Sequence, residues 1–213
     1  MSTRAQNENV TGEGRPGPAR ASGGNRALLV LTGTLAVAVL VVDQLTKWWA
    51  ESALSPGGEP VQLVGELLQL RLVYNPGAAL SIATGMTWVL TIIVVVVVIA
   101  ILRLMRRIGS RGWAVSLGLL LGGAVGNLVD RLARDPGFAR GHVVDFIDYA
   151  GLFVGNVADI AIVVAAVWIA VLSVRGIGVD GRREGEQAPA SSDGGGAEPG
   201  GPGEARHADG SAA

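Results

Sequence analysis

The sequence predicts an all-α membrane protein with four transmembrane helices and a small extracytoplasmic β-cradle between the first and second spans. Two observations predict this fold class. Hydrophobic residues make up 49% of the 213 residues, with a mean hydropathy of +0.43, and they gather into four long runs. Such a composition is typical of membrane proteins. A third observation, the placing of the arginines, predicts that both termini are cytoplasmic.

The four apolar runs are each shorter than a full membrane span. A helix that crosses a hydrocarbon core of ~30 Å needs about 20 residues. Each helix therefore has to include polar residues that flank its apolar run. The runs are residues 27–42, 86–102, 112–129 and 160–174.

Arginines set the predicted orientation, because cytoplasmic loops carry an excess of Lys and Arg. They concentrate in the N-terminal segment, between the second and third runs, and after the fourth run. These regions are predicted to be cytoplasmic, so residues 48–85 and 132–150 face outside. The arginines concerned are Arg4, Arg15, Arg20, Arg26, Arg103, Arg106, Arg107, Arg111, Arg175, Arg182 and Arg183.

The first outer connection has the pattern of a small sheet. Residues 69–72, Gln-Leu-Arg-Leu, alternate between polar and apolar side chains, which is typical of a strand. The triplet Asn75-Pro76-Gly77 that follows is typical of a turn. We therefore expect a sheet or cradle that rests on the membrane surface.

The two ends of the chain are predicted to be disordered cytoplasmic tails, residues 1–25 and 175–213. The first is rich in Gly, Pro, Arg and Asn, and residues 180–213 contain no Val, Ile, Leu, Met or aromatic residue. Such segments cannot bury enough apolar surface to fold. The predicted four-span domain is residues 26–174.

The composition excludes several kinds of chemistry. The chain has no Cys, which rules out disulfides, thiolate nucleophiles and cysteine-ligated metals. It has only two histidines, His142 and His207, so neither a metal site nor a cofactor is expected. A net charge of -1 gives no case for nucleic acid as a partner.

Polar residues converge on the outer end of the predicted spans when about 20 residues are counted from each inner arginine. Asp43 and Lys47 are spaced i, i+4 at the end of the first span. Asp159 lies roughly 6 Å below the outer surface, Asn156 precedes it by one helical turn, and Asp145 belongs to the adjoining loop. The third span contributes Asn127, Asp130 and Arg131.

Asp145 and Asp159 are the candidates for catalysis. A carboxylate inside a span is costly unless it faces the bundle interior. Two neighbouring carboxylates share one proton, because both cannot easily ionise at close range. The ionised aspartate can then activate water while the protonated one donates to a carbonyl oxygen, which is peptide hydrolysis without a metal.

Other interpretations stay open at this point. A small transporter or channel would use Asp43, Asp130 and Asp159 as a proton or cation path, although the inner halves of the spans are almost wholly apolar. A Ser–Lys pair would use Ser81 with Lys47, and a non-catalytic assembly subunit would tolerate loss of either carboxylate. Asp43 and Lys47 could equally form a plain ion pair, and a supporting role is favoured for the polar residues of the third span.

Five short motifs occur in register along the spans. They are VVDQLTKWW, YNPGAALSI, GGAVGNLVDRL, GHVVDFIDY and GNVADIAI, within about residues 26–174. Each motif is modest alone, but the ordered set resembles lipoprotein signal peptidase, also called signal peptidase II.

The resemblance implies an aspartic endopeptidase of the bacterial plasma membrane, with a site at the outer leaflet and Asp145 and Asp159 as the catalytic pair. The implied substrate is a prolipoprotein whose cysteine carries diacylglycerol, cut just before that cysteine, and globomycin is expected to bind at the site. The implied fold is a four-helix bundle with a β-cradle. The implied substrate-binding or supporting positions are Asp43, Lys47, Asn75, Gly77, Asn127, Asp130, Arg131 and Asn156.

Two positions depart from the family pattern. Gly155 and Leu80 stand where the family commonly has Phe. Neither is expected to touch a catalytic atom, so the expected effect is on the shape of the substrate groove.

Overall fold

Four long helices form the body of the protein. The computed structural model describes residues 21–77 and 86–183, with side chains from Gly24 onward. Each helix is long and apolar enough to cross a membrane, which confirms the prediction of four candidate spans. The helices are α1 (Ala21–Ala53), α2 (Thr87–Met105), α3 (Arg111–Ala133) and α4 (Val157–Val174).

Helix α3 lies at the centre of the bundle, because its glycines allow close approach of its neighbours. A Cβ atom at Gly118 would lie 2.9 Å from the carbonyl oxygen of Thr32, and one at Gly122 would lie 2.7 Å from that of Ala36. Small residues spaced by four along a helix bring two membrane helices together in this way. The contact moves from Thr32 to Ala36 on α1 as it moves from Gly118 to Gly122 on α3, so the two helices run parallel.

The sheet is built from two connections, not from one. Strands β1 (Val61–Val64) and β2 (Leu68–Asn75) lie between α1 and α2, whereas β3 (Val143–Tyr149) and β4 (Phe153–Gly155) lie between α3 and α4. The four strands are antiparallel in the order β1-β2-β3-β4. The predicted sheet between the first two spans is therefore corrected: half of it comes from the connection between α3 and α4.

Helix α1 continues beyond the predicted span to support this sheet. Its Ala50 is fully buried and packs in one cluster with Leu72 of β2 and with Val144 and Phe146 of β3. The ring of Trp49 meets the ring of Phe146 edge-on, with centroids 6.3 Å apart. The last turns of α1 therefore hold β3 in place, and residues 48–53 are helical where the sequence predicts a loop.

The C-terminal end of α4 is followed by an ordered hook, residues 175–183. The Trp113 indole nitrogen donates to the carbonyl oxygen of Ile177 at 2.9 Å, and the Gly109 amide donates to that of Val179 at 2.9 Å. The described chain thus extends nine residues beyond the predicted boundary at Val174, since these hydrogen bonds and the packing of Ile177 and Val179 against the hydrophobic core hold the segment. Residues 184–213 lie outside the described part of the chain.

Candidate active site

Asp145 sits in the middle of strand β3, on the face opposite its apolar neighbours. Val144 and Phe146 point into the cluster beneath the sheet, so alternation along the strand turns Asp145 the other way. The carboxylate is only 2% exposed. It accepts hydrogen bonds from two side-chain amides, Asn75 Nδ2 at 2.8 Å and Asn156 Nδ2 at 2.6 Å.

Asp159 lies in the first turn of α4, where it forms a capping box with Asn156. The Asn156 side chain accepts from the Asp159 amide at 3.1 Å, and the Asp159 carboxylate accepts from the Asn156 amide at 3.1 Å. The second oxygen of Asp159 accepts from Asn127 Nδ2 at 2.9 Å. Negative charge is favoured at a helix N-terminus, so this position suits a carboxylate.

Asn156 brings the two aspartates together. Its side chain donates to Asp145 while its backbone amide donates to Asp159. The two carboxylates are close enough for the charge of Asp159 to act on Asp145. Asn156, which is fully buried, therefore joins the two aspartates. The sequence predicts it only as a substrate-binding or supporting position.

A buried ion cluster lies next to the pair. Lys47 has no solvent exposure, and its ammonium nitrogen contacts Asp43 Oδ2 at 2.8 Å, Asp130 Oδ2 at 2.7 Å and Asn127 Oδ1 at 3.0 Å. An ammonium has three N–H donors, so these acceptors satisfy all of them. The cluster ties α1 to α3 at the level of the aspartates.

The same acids also fix the backbone around the pair. Asp43 Oδ1 accepts from the amide of Ala158 at 3.0 Å, which holds the first turn of α4 to α1. Asp130 Oδ2 accepts from the amide of Val144 at 3.3 Å, which holds β3 to α3. Each buried acid therefore positions the segment that carries one of the two aspartates.

Arg131 is buried next to the pair, with 8% exposure. Its Nε and Nη1 atoms have no hydrogen-bond partner among the described residues. Nη1 lies 3.5 Å from where a Cβ atom would stand at Gly77, and such a Cβ would also collide with Leu90. Gly77 has φ +114, a region that favours glycine, and its amide donates to Asn75 Oδ1 at 2.8 Å.

Burial raises the pKa of Asp145 from its ordinary 3.8 to about 7. The hydrogen bonds from Asn75 and Asn156 act in the opposite direction, whereas the negative charge of Asp159 adds to the rise. A carboxyl group with such a pKa holds its proton over part of the neutral range.

The structure adds residues that the sequence analysis did not select. Arg134 donates to Asp130 Oδ1 at 2.8 Å and to Glu51 Oε1 at 2.6 Å, and Tyr74 donates to the same Glu51 oxygen at 3.3 Å. This chain links α1, α3 and β2 above the ion cluster. The i, i+4 spacing of Asp130 and Arg134 is the sequence signal that could have indicated it.

Gly155 lies nearer the pair than its sequence context suggests. A Cβ atom there would stand 3.0 Å from Asp159 Oδ2 and 2.7 Å from the ring of Phe153. A side chain at residue 155 would therefore contact Asp159 directly, whereas glycine leaves this side of the carboxylate open. Leu80 lies outside the described residues, as does Ser81.

The charged residues are distributed unevenly along the bundle. Within residues 24–77 and 86–183, every buried charged side chain lies at the sheet end of the helices or in the sheet itself. The described residues include no group of His, Asp and Glu that could hold a metal ion. The buried charged residues are Asp43, Lys47, Asp130, Arg131, Asp145 and Asp148.

A family model described as signal peptidase (SPase) II matches residues 35–175. The chain belongs to the signal peptidase II family. All the predicted site residues fall within the matched segment, so the protein is a peptidase of lipoprotein processing, and the transporter interpretation is not supported.

Individual relatives agree with this family assignment. The chain is 48% identical over 156 residues to the lipoprotein signal peptidase of Rhodococcus jostii (strain RHA1), covering 73% of this chain and 78% of that protein. It is 49% identical over 153 residues to that of Mycobacterium avium (strain 104), covering 71% and 84%.

A solved structure entitled "Bacterial membrane enzyme structure by the in meso method at 1.9 A resolution" has a similar fold. It is 26% identical, with a TM-score of 0.59, and the match covers 68% of this chain and 92% of that one. The signal peptidase II chain described above is therefore similar to a membrane enzyme in fold as well as in sequence.

Proposed function

We propose that this signal peptidase II is an aspartic endopeptidase in which Asp145 and Asp159 are the catalytic pair. Its proposed substrate is a prolipoprotein whose cysteine carries diacylglycerol, and the scissile bond is the one just before that cysteine. The observation that carries the assignment is the bridge through Asn156, which holds both buried carboxylates by direct hydrogen bonds.

The two carboxyl groups divide the chemistry between them. Asp145, with a pKa raised by burial to about 7, carries the shared proton and donates it to the oxygen of the scissile carbonyl. Asp159 acts as the base: it takes a proton from a water molecule, whose oxygen attacks the carbonyl carbon. The tetrahedral intermediate then collapses as Asp159 passes its proton to the departing amine, and the gem-diol proton returns to Asp145.

Arg131 and Asn75 position the substrate and the pair. The buried guanidinium of Arg131 has donors without an acceptor among the described residues, and a peptide carbonyl of the substrate would satisfy them. Unpaired buried donors are costly, so substrate binding gains from filling this site. Asn75 holds Asp145 in the orientation that the reaction needs.

Lys47 supports the site without reacting. Because Asp43, Asp130 and Asn127 accept from all three of its N–H groups, Lys47 is held as the cation of a buried ion cluster and not as the free amine that a Ser–Lys mechanism needs. This arrangement weighs against a Ser–Lys mechanism. It favours a structural role for the pair of Asp43 and Lys47, consistent with their full burial.

The site is proposed to face the outer leaflet of the plasma membrane, with both termini in the cytoplasm. Arginines at the opposite helix ends, at residues 103–111 and 175–183, support this orientation through their charge. Residues 1–20 and 184–213 are proposed to be cytoplasmic tails outside the peptidase domain. Globomycin-type cyclic peptides are proposed to bind at the aspartates and to compete with the substrate.

Cleavage of a defined peptide tests this proposal. Purified full-length protein is incubated with a diacylated prolipoprotein peptide and with the same peptide lacking the lipid, and mass spectrometry locates the cut. We expect cleavage just before the cysteine in the diacylated peptide alone, with no loss of rate in a chelator. Equal cleavage of both peptides would contradict the lipid requirement, and inhibition by the chelator would contradict metal-independent catalysis.

A further inference from the structure

A cleft lies at the end of the bundle opposite the aspartates. Its volume is about 570 Å³, and three segments form its walls: the start of α1, the connection between α2 and α3, and the C-terminal hook. Asp159 is near the sheet end of α4, and the hook begins 16 residues later at Arg175. At 1.5 Å per residue the two ends of the helix are separated by more than 20 Å, so the cleft is not part of the candidate active site.

The hook is held firmly as one wall of this cleft. Besides its hydrogen bonds to Trp113 and Gly109, it passes so close to Gly109 that a Cβ atom there would collide with the backbone of Asp180. This approach requires glycine at residue 109. The hook is therefore an integral part of the fold.

Arginines dominate the charge of the cleft. Arg106, Arg107 and Arg111 line it together with one acid, Asp180. Asp180 contacts Arg182 and not the lining arginines: its Oδ1 accepts from the Arg182 amide at 3.1 Å, and its Oδ2 lies 3.7 Å from the Arg182 Nε. Within the described part of the chain, none of the three lining arginines forms a salt bridge, so the cleft carries an excess of positive charge, with three arginines against one acid.

Apolar residues of the same cleft indicate the kind of anion that it suits. Leu28 and Ile108 contribute to its lining, and both belong to the hydrophobic core of the bundle. The cleft also lies where the candidate spans end, which is the level of phospholipid headgroups in a membrane. A site with an apolar floor and a basic rim at that level matches a phosphate group attached to a glycerol and its acyl chains.

We propose that this cleft binds the phosphate headgroup of an anionic phospholipid such as phosphatidylglycerol. The arginines contact the phosphate oxygens as charge-assisted donors, while the glycerol and upper acyl chain lie against Leu28 and Ile108. A bound lipid would bridge α1, the α2–α3 connection and the hook, and would fasten this end of the bundle to one leaflet. The proposal concerns lipid binding and does not depend on the catalytic assignment.

Lipid binding to the purified full-length protein tests the proposal. Native mass spectrometry compares retention of phosphatidylglycerol, of phosphatidylcholine, and of soluble glycerol phosphate as a phosphate without acyl chains. We expect tighter binding of phosphatidylglycerol than of either alternative. Because each arginine near a headgroup contributes similarly, Arg106→Gln, Arg107→Gln and Arg111→Gln should each weaken phosphatidylglycerol binding about fivefold.

Arg103→Gln is the matched control, since Arg103 is an exposed arginine at the same end of the bundle that does not line the cleft. Its binding of phosphatidylglycerol should equal that of the wild type. The single replacements keep most of the positive charge that sets topology, and circular dichroism checks that each variant is folded. Equal binding of the two lipids, unchanged binding in all three cleft variants, or equally tight binding of glycerol phosphate would overturn the proposal.

Discussion

Lys47 donates a hydrogen bond of 3.0 Å to Asn127 Oδ1, and this contact decides which way the Asn127 amide points. The same oxygen also accepts from Asn156 Nδ2 at 3.2 Å. With its oxygen turned to two donors, the Asn127 amide directs its nitrogen to Asp159 at 2.9 Å. A buried lysine that touches neither aspartate of the pair therefore sets the hydrogen bonding of one of them.

Replacing Lys47 by methionine should destabilise the protein by about 3–5 kcal/mol, because Asp43 and Asp130 stay buried after the cation that contacts both of them is removed. Thermal unfolding in detergent measures the change. Adding Asp43→Asn to Lys47→Met should recover part of the loss, since Asp130 keeps its salt bridge to Arg134 and the other acid of the cluster is then neutral. An unchanged unfolding temperature in Lys47→Met would contradict the role of this cluster.

The pH dependence of cleavage should reflect Asp145. Burial raises the pKa of this carboxyl to about 7, and the proposed mechanism needs its proton. Turnover should therefore fall as pH rises through about 7, by tenfold per pH unit once the group is ionised. Single-turnover rates across pH 5–9 measure this decline, and a rate that keeps rising to pH 9 would contradict protonated Asp145 as the acid.

Stability provides an independent check on Asp145. The Asp145 carboxyl binds its proton more strongly in the folded protein than in the unfolded chain. Protonated Asp145 therefore contributes stability that is fully present below about pH 3.8 and is lost as pH rises through about 7. The Asn side chain of Asp145→Asn cannot ionise. The unfolding temperature of this variant minus that of the wild type should therefore increase with pH between these two values and stay constant at higher pH.

Gly155→Ala should lower turnover about tenfold while the protein stays folded. The new methyl group would stand 3.0 Å from Asp159 Oδ2, and small displacements of reacting groups are costly in rate. Adding Phe153→Ala separates two causes, because it removes the ring that also crowds residue 155. Activity should stay low in the double variant, and full recovery would assign the effect to Phe153 instead of Asp159.

A shortened protein of residues 21–183 should insert and cleave a diacylated peptide at a rate close to that of the full chain. It keeps every described element, including the hook. Further removal of residues 175–183 should lower the unfolding temperature, because Trp113 and Gly109 lose their partners. Loss of cleavage in the 21–183 protein, with correct insertion, would assign the tails a part in the reaction.

Much of this architecture could be predicted from local sequence. The four spans follow from apolar runs, and counting residues from the inner arginines places Asp43, Lys47 and Asp159 at one level, because a helix rises by a constant amount per residue. The ordered motifs also indicate the family. These inferences rely on properties that a helix carries within its own segment.

The remaining features depend on contacts between distant segments. Asp145 stands opposite Val73 in the sheet, and no local signal in residues 143–149 says that β2 will be their partner. The bridge through Asn156 and the nearness of Gly155 to Asp159 likewise arise only when α4 docks on β3 and α3. Sequence reasoning therefore selected both aspartates and Asn156, but not the hydrogen bonds by which Asn156 joins the two carboxylates.

Cleavage by the neutral variants of the pair tests the central claim most directly. Asp145→Asn, Asp159→Asn and the control Asp148→Asn, a buried strand aspartate paired with Arg71, are purified and assayed on a diacylated prolipoprotein peptide. With folding verified for each, we predict no detectable cleavage by either pair variant and clear cleavage by Asp148→Asn. Near-normal turnover by Asp145→Asn or Asp159→Asn would contradict the proposed catalytic pair.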